Sequence, residues 1–436
     1  MSSILIAAVP AQGHVGPLLP VARQFAERGD DVRFITGSRF AGVVQATGAR
    51  HIPLPPDPAF DDQRDPDDVF PERAVLKGTA AIAFDIEHFF VRPARDQYET
   101  VMSAHREAPA TVILADTGFL GAAFVLGHAL GDRPPVVVCG VVPLPIMSRD
   151  TAPYGMGLLP MRGPLGRLRN RVLSAVAERT VFPRAEHAAD EINRDLHARP
   201  LPFPVLDWPR HAEAIAQFTV AEFEYPRSDA PHTLHFVGPI TSQIADAALP
   251  SWWSDLDGTR PVVHVTQGTV ANHDYGQIIA PTLEALARDD VLVVVATGGR
   301  PLETLPPLPV NARAAIYLPY DHLLPKVDVY VTNGGYGGVQ HALRHGVPIV
   351  TSGGKEDKPE VAGRIAWSGV GRRLRTEEPS AAAVRDAVRA VLSQPRYREN
   401  ARRIAASMAR AGGVARLVEL VDELAVTGSG TPDGRR

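Results

Sequence analysis

One feature near the N-terminus restricts the fold more than any other. Six apolar residues run without a break, Ile4-Leu5-Ile6-Ala7-Ala8-Val9, and a loop of small residues from Pro10 to Gly16 follows. A strand apolar on both faces belongs inside a parallel sheet covered by helices on both sides. Pro17, Leu18, Val21, Ala22 and Phe25 then recur at helical spacing, with Gly29 where a C-cap is expected. Val32 to Ile35 is the next short strand. Strand, loop, helix, strand is the opening of a doubly wound α/β unit.

Residues 111–115 and 135–139 continue the sheet, with a helix expected over 118–130 between them. Residues 55–75 and 140–165, rich in Pro with Asp or with Gly and Met, read as long excursions from it. Near Phe236-Val237-Gly238-Pro239 the pattern restarts. Residues 262–266, 291–296, 314–318, 327–331 and 347–351 read as strands of a second unit, and 278–287 as a helix. A chain of 436 residues is too long for one core, so two Rossmann-like domains are expected to face each other across a cleft. The expected division is residues 1–220, a linker over 221–245, and a second domain over 246–400. A helix over 401–426 should pack back toward the first domain, and 427–436 should form a disordered tail.

Bulk properties exclude several classes. The net charge is −4 and no long run of Lys or Arg occurs, which argues against nucleic acid as the partner. The single cysteine, Cys139, ends the apolar run 136–138 and reads as a small buried hydrophobe. It can form neither an internal disulfide nor a Cys-rich zinc site. No apolar stretch reaches the ~18 residues of a membrane span, and the N-terminus enters a strand with no basic leader. A cytoplasmic protein, monomer or homodimer, is expected.

Two positions can carry proton chemistry. His14 follows the first strand, at the mouth of the expected cleft, and imidazole is a fit general base near neutral pH. It could equally cap the helix that follows. Asp116 ends the strand 111–115, on the same side of the sheet. A carboxylate there can fix the imidazole tautomer and stabilise the imidazolium, or can cap its own helix, or do both.

The back half offers an anion cradle. Asn333-Gly334-Gly335-Tyr336-Gly337-Gly338 lies between a strand and a helix that Gly346 ends, and bare amides at a helix start suit a phosphate. Gln267-Gly268-Thr269 is a second small loop expected at the same edge. No Gly-x-Gly-x-x-Gly follows the first strand and no Walker-type Gly-Lys-Ser/Thr is present, so neither a dinucleotide enzyme nor an ATPase fits. Asp65-Pro66-Asp67 and Asp255-Leu256-Asp257 could hold a metal on a diphosphate, but neither follows a strand, and solvated surface is the better reading. No metal and no cofactor are expected.

On these motifs the chain resembles the GT-B fold, family 1 glycosyltransferases, in particular the actinobacterial natural-product branch related to macrolide glycosyltransferases. The resemblance covers nearly the whole chain and is most specific over residues 311–360 and at Gly13-His14. It implies His14 as general base with Asp116 as its partner, a front half that binds the acceptor and a back half that binds the nucleotide sugar. Gly268 and Thr269, with Asn333, Gly334, Gly335, Gly337 and Gly338, would meet the donor diphosphate. Tyr317, in Tyr317-Leu318-Pro319-Tyr320, would stack on the base. His341 stands where the family has a ribose-binding Glu, and Asp357-Lys358 where it has an Asp-Gln pair on the sugar hydroxyls. The loop opens with Asn333 in place of the usual His. Replacing the Glu by His341 leaves room for a dTDP donor as well as UDP. The implied activity is inverting, metal-independent transfer of a hexose to a hydroxyl of a small apolar natural product. Phenylalanines over 60–90, and Pro143, Pro145, Met147, Tyr154 and Met156, would suit such an acceptor. A nucleotide-sugar epimerase of the same fold and an inert donor-binding or activator homologue are the alternatives.

Overall fold

A computed structural model describes residues 2–56, 69–241, 249–269, 272–354 and 357–428, with side chains to residue 425. The described residues build two parallel sheets. The first contains β1 (Ser3–Ala7), β2 (Asp31–Thr36), β3 (Arg50–Pro53), β4 (Val112–Asp116), β5 (Val136–Gly140), β6 (Ala214–Gln217) and β7 (Leu234–Phe236), in the order β3-β2-β1-β4-β5-β6-β7. The second contains β8 (Val262–Thr266), β9 (Leu292–Ala296), β10 (Ala312–Ala315), β11 (Val329–Thr332), β12 (Ile349–Thr351) and β13 (Gly371–Arg373), in the order β10-β9-β8-β11-β12-β13. In each sheet the strand order reverses direction once, between β1 and β4 in the first and between β8 and β11 in the second. A crevice opens at such a reversal, outside the carboxyl ends of the strands, and ligands bind there.

The apolar runs explain the layers. Strand residues pointing either way are buried, and each sheet separates two apolar clusters, one under the helices of each face. Helix α1 (Gln12–Glu27) turns Leu18, Val21, Ala22 and Phe25 onto the first sheet, all fully buried. Burying a side chain of the size of Leu, Val or Phe contributes about 1.5–3 kcal/mol. In the second half, α2 (Tyr336–Arg344) follows β11, α3 (Lys358–Ser368) follows β12 and α4 (Pro395–Arg410) packs on α2. The last helix, α5 (Val414–Gly428), returns to the first half. Its Leu417, Leu420 and Val421 join the cluster of Ile4, Val21 and Phe25, and Asp422 pairs with Arg28 at 2.7 Å.

Several expected boundaries move. Leu234–Phe236, expected in the linker 221–245, is the edge strand of the first sheet, hydrogen-bonded to β6. Its three residues are only half-buried, so no apolar run marks it. The expected division at 400/401 cuts α4, a single helix of the second half, and the helix that crosses back is α5. The helix expected over 118–130 is helical only at Gly121–Val125. Gly127, pressed under the His197 ring, follows it, and glycine lowers helix propensity. The strand expected over 314–318 is Ala312–Ala315, because the chain turns at Ile316 and Tyr317 toward Pro319. The expected tail beyond Gly428, like Phe60 and Asp65-Pro66-Asp67, lies outside the described residues.

The two halves meet edge to edge. Gln217, at the end of β6, donates from Nε2 to the Tyr336 hydroxyl at 3.3 Å and to the carbonyl of Val142 at 2.8 Å. Thr219 Oγ1 lies 3.1 Å from Gln340 Oε1. The carboxyl edge of the first sheet therefore faces the start of α2.

Candidate active site

The front-half crevice is built by β1 and β4, neighbours in the sheet although 102 residues separate their two polar groups. After β1 the chain turns at Ala11 and enters α1, which carries His14 in its first turn. Asp116 is the last residue of β4 and is fully buried. His14 Nδ1 lies 2.7 Å from Asp116 Oδ1. The carboxylate also accepts the amide of Val9 on Oδ2 at 2.7 Å and that of Gly118 on Oδ1 at 2.6 Å. With two amides already donating, the third contact is satisfied when the imidazole carries its proton on Nδ1. That tautomer puts the ring's lone pair on Nε2. The His14 side chain is 21% exposed, so it is held but reachable. Asp116 does not cap the helix after it, which begins at Gly121 with Leu120 as its N-cap residue; its bond to Gly118 closes the turn after β4 instead.

The back-half crevice lies between β8 and β11, and the two glycine loops flank it. Gly268 and Thr269 follow β8 and are exposed. Asn333 follows β11, is buried, and ties the loops together by donating to the carbonyl of Gln267 at 3.1 Å. Gly334 has φ of +101°, and a Cβ there would stand 2.9 Å from Thr351 Oγ1, so the chain can turn only with glycine. Gly335 is the N-cap of α2, and Gly337 is exposed in its first turn with open space around it. The orphan amides of that turn carry the positive end of the helix dipole. Gly338 has a different reason to be small: a Cβ would stand 2.5 Å from the Tyr330 hydroxyl beneath the helix.

The remaining sequence candidates are spread around this edge. Tyr317 is 46% exposed beyond β10. His341 is buried on α2 and meets Tyr320 edge-on at 5.6 Å. Tyr320 in turn packs on His264, whose Nδ1–H donates to the Val294 carbonyl at 2.8 Å. Burial pushes the His264 pKa down to about 4. Asp357 is the N-cap residue of α3 and Lys358 its first residue, the latter buried.

Asp255 and Asp257 sit before β8, at the amino edge of the sheet, opposite the glycine loops. Asp255 pairs with Arg313 at 2.6 Å and Asp257 accepts from Thr259, so both serve the local structure. Among the described residues no three His, Cys, Asp or Glu side chains gather as a metal site would need. Cys139 is buried and burial pushes its thiol up, as expected of a core residue.

Sequence reasoning missed the polar residues that join the halves: Gln217, Thr219, Tyr336 and Gln340, and a buried cluster of Glu224, Glu360 and Arg364. The only sequence signal was Gln, Glu or Arg at positions whose helical or strand neighbours are apolar.

Comparisons with known proteins agree with this architecture. Residues 280–424 match the family described as erythromycin biosynthesis protein CIII-like, C-terminal domain. The chain is 42% identical to the 4'-demethylrebeccamycin synthase of Lentzea aerocolonigenes over 97% of its own length and 99% of that protein's. It is 33% identical to UDP-glycosyltransferase 2 of Phaeomoniella chlamydospora, over 97% and 95%. Among solved structures, the glycosyltransferase of kitacinnamycin superposes with a TM-score of 0.73 at 21% identity, over 97% of this chain and 98% of that one. With its two facing Rossmann-like sheets and relatives that span its whole length, the chain belongs to the GT-B, family 1 glycosyltransferases of the natural-product branch, enzymes that use a nucleotide sugar.

Proposed function

We propose that this enzyme transfers a hexose, with inversion and without a metal, from a UDP- or dTDP-sugar to a hydroxyl of a small apolar natural product. The observation that carries the reading is the His14–Asp116 pair, 2.7 Å apart at one sheet reversal, in a molecule whose other sheet reversal is lined by glycine amides. His14 takes the acceptor proton on Nε2 as the acceptor oxygen attacks C1 of the sugar. The bond from C1 to the diphosphate oxygen breaks, and the nucleoside diphosphate leaves from the opposite face. Asp116 holds the ring and stabilises the imidazolium that results. Amides at the start of α2, with Gly268 and Thr269, take the leaving group's charge. A helix start contributes ~0.3–1 kcal/mol when exposed and up to ~2 when partly buried.

Tyr317 is proposed to stack on the base, His341 to border the ribose, and Asp357 and Lys358 to hold sugar hydroxyls. An apolar acceptor is supported by the surface that continues from the loop after β5. Met156, Leu158, Leu159 and Met161 are exposed, as are Leu165 and Leu168 of the helix Gly163–Thr180 that follows. Phe70, Phe84 and Phe89 form a second aromatic group with His88. The names of the relatives favour transfer over epimerisation or an inert homologue. A screen of UDP- and dTDP-sugars against apolar alcohols, read by mass spectrometry, tests the reading. A product heavier by one anhydrohexose is expected, and it should form equally in EDTA. Conversion of donor without an acceptor into an isomeric donor would contradict it.

A further inference from the structure

The first turn of α3 carries more than Asp357 and Lys358. Glu360, on the same turn, is buried, yet its partners come mainly from the front half. Its Oε1 accepts the amide of Gly155 at 3.1 Å and that of Gly157 at 2.8 Å. Its Oε2 accepts from Arg364 Nη1 at 2.8 Å. Arg364 is wholly buried, lies over the Tyr225 ring at 4.3 Å, and donates through Nε to both Glu224 oxygens at 2.8 and 2.9 Å. Glu224, from the segment after β6, also accepts the amides of Leu144 at 3.2 Å and Tyr225 at 2.7 Å, and Arg227 Nη1 at 3.2 Å. Two carboxylates and two guanidiniums balance, and three amides of the front-half loop end on them.

Buried ion networks contribute little net stability compared with apolar side chains of the same volume. What this one does supply is a fixed relation between two chain segments. The backbone contact is equally close. Gly157 has φ of +57°, a Cβ on it would stand 2.5 Å from the Pro359 carbonyl oxygen, and its own carbonyl accepts from Arg373 Nη1 at 2.7 Å. Tyr154, just before the gripped glycines, is drawn to the same junction: burial, with Asp357 and Glu360 adding, pushes its hydroxyl well above the usual range.

We infer that Glu360 is a positioning residue, fastening the acceptor-side loop at Gly155–Gly157 onto the helix turn that begins with Asp357-Lys358. The acceptor surface and the sugar end of the donor site are thereby held as one body. This rests on the proposed assignment of Asp357-Lys358 to the donor sugar. Loosening the loop leaves the diphosphate amides at α2 untouched but lets the acceptor drift from C1 and admits water to it.

The test uses the full chain as Glu360→Gln and Gly157→Ala. The first removes the charge that faces Arg364. The second pushes the loop off Pro359 while leaving all four buried charges in place, so it decides the matter if Glu360→Gln fails to fold. Misplacement near 1 Å can cost up to ~10²-fold, so acceptor KM is expected to rise on the order of tenfold. Donor hydrolysis relative to transfer should rise with it, while UDP and dTDP affinity by calorimetry stays near the wild-type value. Folded variants with wild-type acceptor KM and hydrolysis ratio would overturn the inference, as would lost diphosphate affinity with acceptor KM unchanged. A wild type that transfers no sugar would strike the functional reading instead, and the two failures are therefore separable.

Discussion

The two halves share a parallel sheet with one reversal of strand order, yet they furnish their crevices in opposite ways. The front half presents side chains. His14 and Asp116 meet at 2.7 Å, and two amides lock the carboxylate. The back half presents backbone. Gly335 and Gly337 carry the amides of the helix start, while the nearby side chains hold the loops: Asn333 donates to the Gln267 carbonyl and Thr332 accepts the Gly334 amide. Proton transfer needs a titratable group at one defined place, which only a side chain supplies. A diphosphate needs several dipoles converging on a spread charge, which a helix start supplies without a side chain. On the proposed reading one topology serves two kinds of chemistry, and the loops at the carboxyl ends of its strands make the difference.

The contrast can be broken at each crevice. Asp116→Asn should have the largest effect among the neighbours of His14, since an amide can hold the ring in the wrong tautomer. A loss of turnover of ~10²–10⁴ is expected with donor affinity preserved, by steady-state kinetics and calorimetry. Gly334→Val acts on the other side: the added Cβ meets Thr351 and the positive φ is strained. It should weaken UDP or dTDP binding on the order of tenfold, a change of about 1.4 kcal/mol, with a smaller effect on turnover of the bound donor. His341→Ala should change the ratio of UDP to dTDP affinity by a few-fold in a competition assay, a ribose-edge effect. A strong UDP preference unchanged by the substitution would remove His341 from the ribose.

The smallest effect concerns a second histidine. His14 is reachable, but His264 on β8 is sealed, and burial lowers its pKa to about 4. The unfolded chain takes that proton near ~6.5. Between those values the unfolded state binds more protons, so stability is fully present above ~6.5 and is lost as pH falls toward 4. Burial lowers His105, His128 and His197 in the same direction. The thermal midpoint should fall between pH 7.5 and pH 5, and His264→Gln should flatten that slope.

The sequence made β1, β4, β8 and β11 legible because central strands are apolar on both faces, and the polar residue after each then stands out. That is why His14, Asp116 and both glycine loops could be named from the chain alone. Leu234–Phe236 was not legible, since an edge strand buries too little to need an apolar run. Nor was the reason for Gly338, which depends on Tyr330 lying beneath it. The Glu360–Arg364–Glu224 cluster was hidden for another reason. Glu224 and Arg364 are 140 residues apart, and a charged residue in a helix reads as surface until its partner is known.

Turnover and calorimetric UDP and dTDP affinity of His14→Ala, measured alongside the wild type, test the division of labour between the halves most directly. Turnover should fall by at least ~10² with diphosphate affinity unchanged, because the proton acceptor and the anion cradle sit in different halves. Near-normal transfer by that variant, or loss of diphosphate binding in step with activity, would contradict it.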